Sequence, residues 1–273
     1  MNYIKIESGM FYGAISLYLF SVILYFIFFI SRNEKAGSLG SKITRLALIL
    51  HTAALIARGI GAQRLPLTNQ YEFATSFAWG IALCFIIFEK KYNFRAMGTF
   101  VAPIVFLIIG YAAMQNKDVR PLMPALQSNW LGIHVSLAIL SYGSFGVAAG
   151  VSGMYLLRNK LPEDDFIKKH VPSLEKLDIL SYKAISLGYL LLTLVIVTGA
   201  IWAERAWGRY WAWDPKETWS FITWIIYSVY LHVRISRGWK GRSAAVFSLI
   251  GFICVLFTYI GVNILLPGLH SYR

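Results

Sequence analysis

The chain has 273 residues, of which 57% are hydrophobic, 16% aromatic and only 14% charged. Soluble domains carry about 25% charged residues, and here the charges fall in short blocks between long apolar runs, which argues against a water-soluble globule. The net charge is +13, yet the basic residues form no groove-sized patch with base-stacking aromatics, so nucleic acid is not the partner. Lys and Arg in such blocks set membrane topology and meet anionic lipid head groups.

A bilayer core about 30 Å thick takes roughly 20 apolar residues per helical span. Spans are predicted at 10–30, 43–60, 73–89, 96–114, 130–157, 181–203, 216–235 and 243–266. The expected fold class is all-α: a polytopic transmembrane helical bundle of about eight spans, forming a single integral membrane domain over 1–273. The first run, Phe11 to Ile30, lacks a basic leader and a small-residue cleavage site, and reads as a retained helix. The first, third, fifth and seventh connecting segments hold most of the Lys and Arg residues. The positive-inside rule places those segments in the cytoplasm and both termini outside. Cys84 and Cys254 lie far apart in apolar runs with no C-x-x-C, so a thiol relay and a zinc site are both disfavoured.

The outer segments differ in character. Arg58 to Glu72 carries Gly59, Gly61, Pro66 and Asn69, and Gln115 to Asn129 carries Pro121 and Pro124. The third, about 204–220, includes Trp207-Gly208-Arg209-Tyr210-Trp211-Ala212-Trp213-Asp214-Pro215-Lys216-Glu217-Thr218-Trp219-Ser220. With Trp202, five of the nine tryptophans fall within eighteen residues. An interfacial aromatic belt explains one or two Trp per helix end, not five beside one loop. Asp214 is placed to cap the following helix, Pro215 suits its first position, and Glu217 completes a capping box. Trp207, Trp211 and Trp213 then form an apolar shelf, suited to a large flat ligand with a polar edge such as a porphyrin.

The five histidines divide by position. His134 lies at the outer end of the fifth span after Trp130, and His270 lies in the outer tail Gly268-Leu269-His270-Ser271-Tyr272. Both share a face with the tryptophan segment, and two neutral imidazoles can ligate haem iron from opposite sides. His232 in the inner half of the seventh span and His51 in the second are candidates because ionisable residues within lipid are often functional. A neutral imidazole bonded between helices is the competing structural reading for each. His170 sits in a basic cytoplasmic segment and is read as solvated.

The run at 207–220 resembles the tryptophan-rich "WWD" signature of haem-handling proteins in cytochrome c maturation, and is most similar to the CcsA (ResC) family of the System II pathway. Trp130-Leu131-Gly132-Ile133-His134 resembles the family's histidine before the loop, and Gly268-Leu269-His270-Ser271-Tyr272 its histidine after it. Pro66, Asn69, Tyr71 and Glu72 resemble an outer-loop motif of the family. The resemblance implies that His134 and His270 ligate haem b at the outer site, flanked by Trp207, Trp211, Trp213 and Asp214. It implies that His232 binds haem on its way outward, with the partner histidine supplied by a companion subunit, CcsB (ResB). His51 matches no ligand of the family and is left structural. Eight spans with a histidine tail fit this family better than the smaller CcmC type or the much longer CcmF type.

The implied activity is that of a holocytochrome c synthase, or cytochrome c haem lyase, acting with the companion subunit on the Cys-x-x-Cys-His of apocytochrome c. The orienting of reactants then matters more than any protein nucleophile, since the acceptor brings its own thiols. Arg58, Arg64, Arg205 and Arg209 are candidates to pair with haem propionates. A haem exporter or chaperone without synthase activity is an alternative. A b-type or quinone-linked electron-transfer protein is another, but needs haem ligand pairs buried within one bundle. A small-solute transporter has no use for the tryptophan cluster. The bacterial plasma membrane is the favoured location, and a thylakoid membrane also fits.

Overall fold

The computed structural model describes residues 3–162, 165, 171–266 and 268. Eight helices overlie the predicted segments: α1 Tyr3–Ser31, α2 Glu34–Ala62, α3 Gln70–Tyr92, α4 Gly98–Ala113, α5 Asn129–Lys160, α6 Leu174–Trp207, α7 Pro215–Arg237 and α8 Arg242–Leu265. The last contains a π-helical turn at Phe257–Gly261. Among the described residues there is no strand, and the all-helical expectation is met.

Seven of these helices, α4 taken together with the 3-10 turn Arg95–Met97 before it, are long and apolar enough to cross a membrane, judged by length and composition. The exception is α7, which is 23 residues long but diluted by Thr218, Ser220, Thr223, Ser228, His232 and Arg234. It is also the most amphipathic of the eight, with its polar and apolar residues segregated to different faces.

The helices outrun the apolar stretches. Asn33 accepts from the Lys35 and Ala36 amides and starts α2 nine residues before the predicted span. Ser173 accepts from the Lys176 amide and starts α6 seven residues before its predicted span. Lys35, Lys42 and Lys176, which fall between the predicted spans, are therefore helical. A side-chain cap decides where a helix begins, whereas hydropathy marks only the part that sits in lipid.

The described chain divides into two compact units, residues 1–119 with 160–172, and residues 120–159 with 173–273. In the first, α1 and α2 run antiparallel, joined by Ser21 Oγ to Thr44 Oγ1 at 2.5 Å and Tyr18 Oη to His51 Nδ1 at 3.3 Å. His51 is fully buried, edge-on to the Tyr18 ring. At the other end of this unit, Glu72 gathers four donors. Arg58 Nε lies 3.0 Å from one carboxylate oxygen, and Arg64 Nη1 lies 2.7 Å from the other. The Thr68 amide and hydroxyl, each at 3.0 Å, join Arg64 on that second oxygen. Arg58 also donates to the Lys117 carbonyl at 2.7 Å, so the buried pair clasps the segments after α2 and α4. Asn69 caps α3 through the Glu72 amide at 2.8 Å. The outer-loop motif thus has a structural task.

In the second unit, every side chain of α5 from Ser141 to Ser152 is buried. Small residues admit close neighbours there: Ser141 Oγ donates to the Gly188 carbonyl at 2.8 Å, and Ser152 meets Ser181 at 2.8 Å. Phe145 stacks on Tyr227 with centroids 3.9 Å apart. Trp224 Nε1 donates to Thr193 Oγ1 at 2.9 Å, fastening α7 to α6. At the far end of α7, Arg234 grips Asp178 through both guanidinium nitrogens, at 2.5 and 3.1 Å.

Candidate functional site

The first turns of α5 meet the last turns of α6. Trp130 and His134, four residues apart, share a face of α5, and Val195, Gly199 and Trp202 recur at helical spacing on α6. His134 Nδ1 lies 2.9 Å from the Val195 carbonyl oxygen. A carbonyl only accepts, so Nδ1 carries the proton and donates, and the neutral ring then has its lone pair on Nε2. An imidazole oriented through one nitrogen by a carbonyl is the usual support for metal ligation through the other.

Trp202 stacks against the His134 ring, with centroids 6.0 Å apart and planes 17° apart. It is itself fixed, because its indole N–H donates to the Ala125 carbonyl at 3.0 Å and its edge meets Trp207 at 4.8 Å. Gly199 makes the approach possible. A methyl group there would lie 2.8 Å from His134 Cε1 and 3.0 Å from Nδ1, so the imidazole rests directly on the α6 backbone.

Beyond Gly208, which ends α6 in the left-handed conformation, the expected capping box is present. Asp214 accepts from the Lys216 amide at 3.1 Å, and one oxygen of Glu217 accepts from the amides of Ala212 and Asp214 at 2.8 and 3.2 Å. Between those amides sits Trp213 with φ of 57°, a conformation that costs an L-residue about 1–3 kcal/mol. Glu217 holds the turn from both sides, and the Trp213 side chain is left 67% exposed. Trp211 stands edge-on to Trp213 at 5.7 Å and to Phe221 at 6.2 Å.

The predicted residues are therefore distributed. His134 and Trp207 belong to one aromatic group centred on Trp202, while Trp211 and Trp213 form another over Phe221. Asp214 connects to the tail: a methyl group on Gly268 would lie only 2.5 Å from Asp214 Oδ2, so the chain two residues before His270 is seated on the α7 cap. His270 itself, like His170, lies outside the described residues. His232 is exposed on α7, eighteen residues from Asp214 or about 27 Å along the helix. Arg58 and Arg64 are engaged by Glu72 in the first unit. Among the described residues no group of three or more His, Cys, Asp and Glu is placed to hold a bare metal ion.

In the sequence Trp202 stands out only as one of the clustered tryptophans, and Val195, Gly199 and Phe221 do not stand out at all. Gly199 and Trp202 stand one turn apart at the end of an apolar helix, and that spacing is the one signal available. Val195 acts through a carbonyl that every residue possesses.

An all-helical membrane chain, with an imidazole set by a backbone carbonyl against a tryptophan wall, defines a membrane protein with an aromatic-walled histidine site. The chain belongs to the cytochrome c assembly protein family, whose model matches residues 67–270. It is 39% identical over 88% of its length to the cytochrome c biogenesis protein CcsA of Prochlorococcus marinus strain MIT 9301, covering 86% of that protein. It is 38% identical to the CcsA of Guillardia theta, covering 93% of this chain and 92% of the relative. The CcsA of Mesostigma viride is 35% identical, with 100% and 98% covered. Among solved structures, the cytochrome c haem lyase CcmF superposes with a TM-score of 0.75 over 95% of this chain at 15% identity. That likeness is one of fold, and this chain spans 47% of the CcmF structure.

Proposed function

We propose that the chain acts in cytochrome c maturation, holding haem b at the outer membrane face and presenting it to the Cys-x-x-Cys-His of apocytochrome c. The observation that carries this reading is the His134 imidazole, whose Nδ1 is tied to Val195 and whose face is set on Trp202. His134 ligates the iron through Nε2, His270 supplies the second ligand from the tail, and Trp207, Trp211, Trp213 and Asp214 shape the surrounding wall. The substrate's own histidine replaces one of these imidazoles. Each substrate thiol then adds across a haem vinyl group, its sulfur bonding to one carbon and its proton going to the other, with no net redox change. What the chain contributes is orientation and exclusion of water. His232, exposed on α7, receives haem earlier, with the opposite ligand from a CcsB (ResB) companion. A polar side chain facing lipid is costly, and a partner subunit relieves that cost. The complex works as a haem lyase, in a bacterial plasma membrane or a thylakoid membrane.

The test is the absorption spectrum of the chain purified with its companion. The parent is expected to show a bis-histidine b-type spectrum, which His134→Ala and His270→Ala lose or destabilise and added imidazole restores. Full parental spectra in both variants would move the site to other histidines and sink the outer pair.

A second measurement separates strain from contact at Trp213. Trp213→Gly removes the left-handed penalty, so its thermal stability is expected to equal or exceed the parent's by up to about 1 kcal/mol, while haem retention falls several-fold. A clearly lower melting temperature would show that the indole, not Glu217, holds the turn.

A further inference from the structure

A porphyrin with two propionates brings two negative charges to this wall, and the second unit offers a cation in register with the iron ligand. On α5, Trp130 precedes His134 by one turn, about 6 Å along the axis. On α6, Arg205 follows Trp202 by three residues, again about one turn. The two helices are thus bridged twice on the same faces: His134 to Trp202, and one turn nearer the helix ends, Trp130 to Arg205. The guanidinium carbon of Arg205 lies over the Trp130 ring, 5.7 Å from its centroid. A cation–π contact uses no N–H donor of the guanidinium in a conventional hydrogen bond, so the fork that pairs with a carboxylate through two parallel bonds is retained.

The three other arginines singled out from the sequence are placed differently. Arg58 and Arg64 are occupied with Glu72. Arg209 sits on the exposed turn after Gly208, beyond the helical face that carries His134.

We propose that Arg205, seated on Trp130, is the carboxylate-binding residue of the porphyrin site and fixes the propionate edge toward the shared end of α5 and α6. With the iron on His134, the carboxylates lie one turn outward and the vinyl-bearing edge points the opposite way. The residue then selects for dicarboxylate porphyrins and sets which edge meets the acceptor thiols. This rests on the haem reading of the His134 site.

The experiment compares haem with haem dimethyl ester, titrated into the chain purified with its companion subunit. Arg205→Ala is expected to weaken haem binding about ten- to a hundredfold, the usual cost of a lost charge-assisted pair. The same variant binds the diester as the parent does, and Arg205→Lys falls between parent and Arg205→Ala for haem alone. Equal weakening of both porphyrins would overturn the proposal, since Arg205 would then act through Trp130 packing. No change for either would overturn it too, placing the carboxylates elsewhere. A parent that binds neither porphyrin, or a His134→Ala variant that binds haem like the parent, would instead remove the haem reading on which the proposal stands.

Discussion

Glu72→Ala is expected to destabilise the first unit by about 3–5 kcal/mol, the cost of stripping one partner from a buried ion pair. The Glu72 and Arg58 side chains are 0% and 2% exposed. Removing the carboxylate leaves the Arg58 charge in a dry site with only carbonyl acceptors, Lys117 and Asp118 at 2.7 and 3.4 Å. It also takes the acceptor from the Thr68 amide and hydroxyl. Arg64, at 9% exposure, turns to water and loses little. Glu34→Ala is the control, because its pair with Arg95 is 74% and 41% exposed and such pairs contribute under about 1 kcal/mol. Cys84 is 6% exposed on α3, so in a Cys254→Ser background a thiol-reactive fluorophore reports unfolding of this unit in detergent. Equal melting temperatures for the Glu72 and Glu34 variants would mean that the clasp is ornamental.

Hydropathy makes the spans legible because lipid demands a run of apolar residues whatever else the helix does. It leaves the helix limits illegible: α2 and α6 extend into charged sequence because Asn33 and Ser173 cap them there. The α7 cap was legible, since Asp214, Pro215 and Glu217 encode it within four residues. The Glu72 clasp was visible only as a family likeness, because Arg58 lies fourteen positions away and spacing alone does not join them.

The candidate site shows the same division. His134 and the tryptophan run stand out by residue type. Their support does not: Val195 contributes a carbonyl and Gly199 an absent side chain, neither of which differs from the apolar helix around it. Trp202 has the residue type but needed the α5–α6 packing to give it a partner. Trp211 and Trp213 were read as one shelf with Trp207, and the structure gives them a separate footing on Phe221, because the Trp213 backbone turns left-handed after α6 has ended.

Gly268→Ala is expected to weaken ligation by His270, the second ligand of the proposed haem site, without touching either proposed ligand. The added methyl group would stand 2.5 Å from Asp214 Oδ2 and 3.0 Å from Pro215 Cδ, both inside contact distance. The cap does not yield easily, since Asp214 is bonded into the start of α7 and the Pro215 ring is rigid. The backbone at Gly268 therefore has to shift, two positions before the proposed ligand. A misplacement of about 1 Å at a reacting centre costs up to about a hundredfold in rate. If the proposed ligation holds, Gly268→Ala is expected to copy His270→Ala: weakened haem retention, a changed spectrum and recovery on adding imidazole. The far-ultraviolet helical signal and the melting temperature of the variant should stay near the parent's, because α7 keeps its capping box. A variant with parental spectrum and parental haem content would show that ligation does not depend on the seat of Gly268 on Asp214.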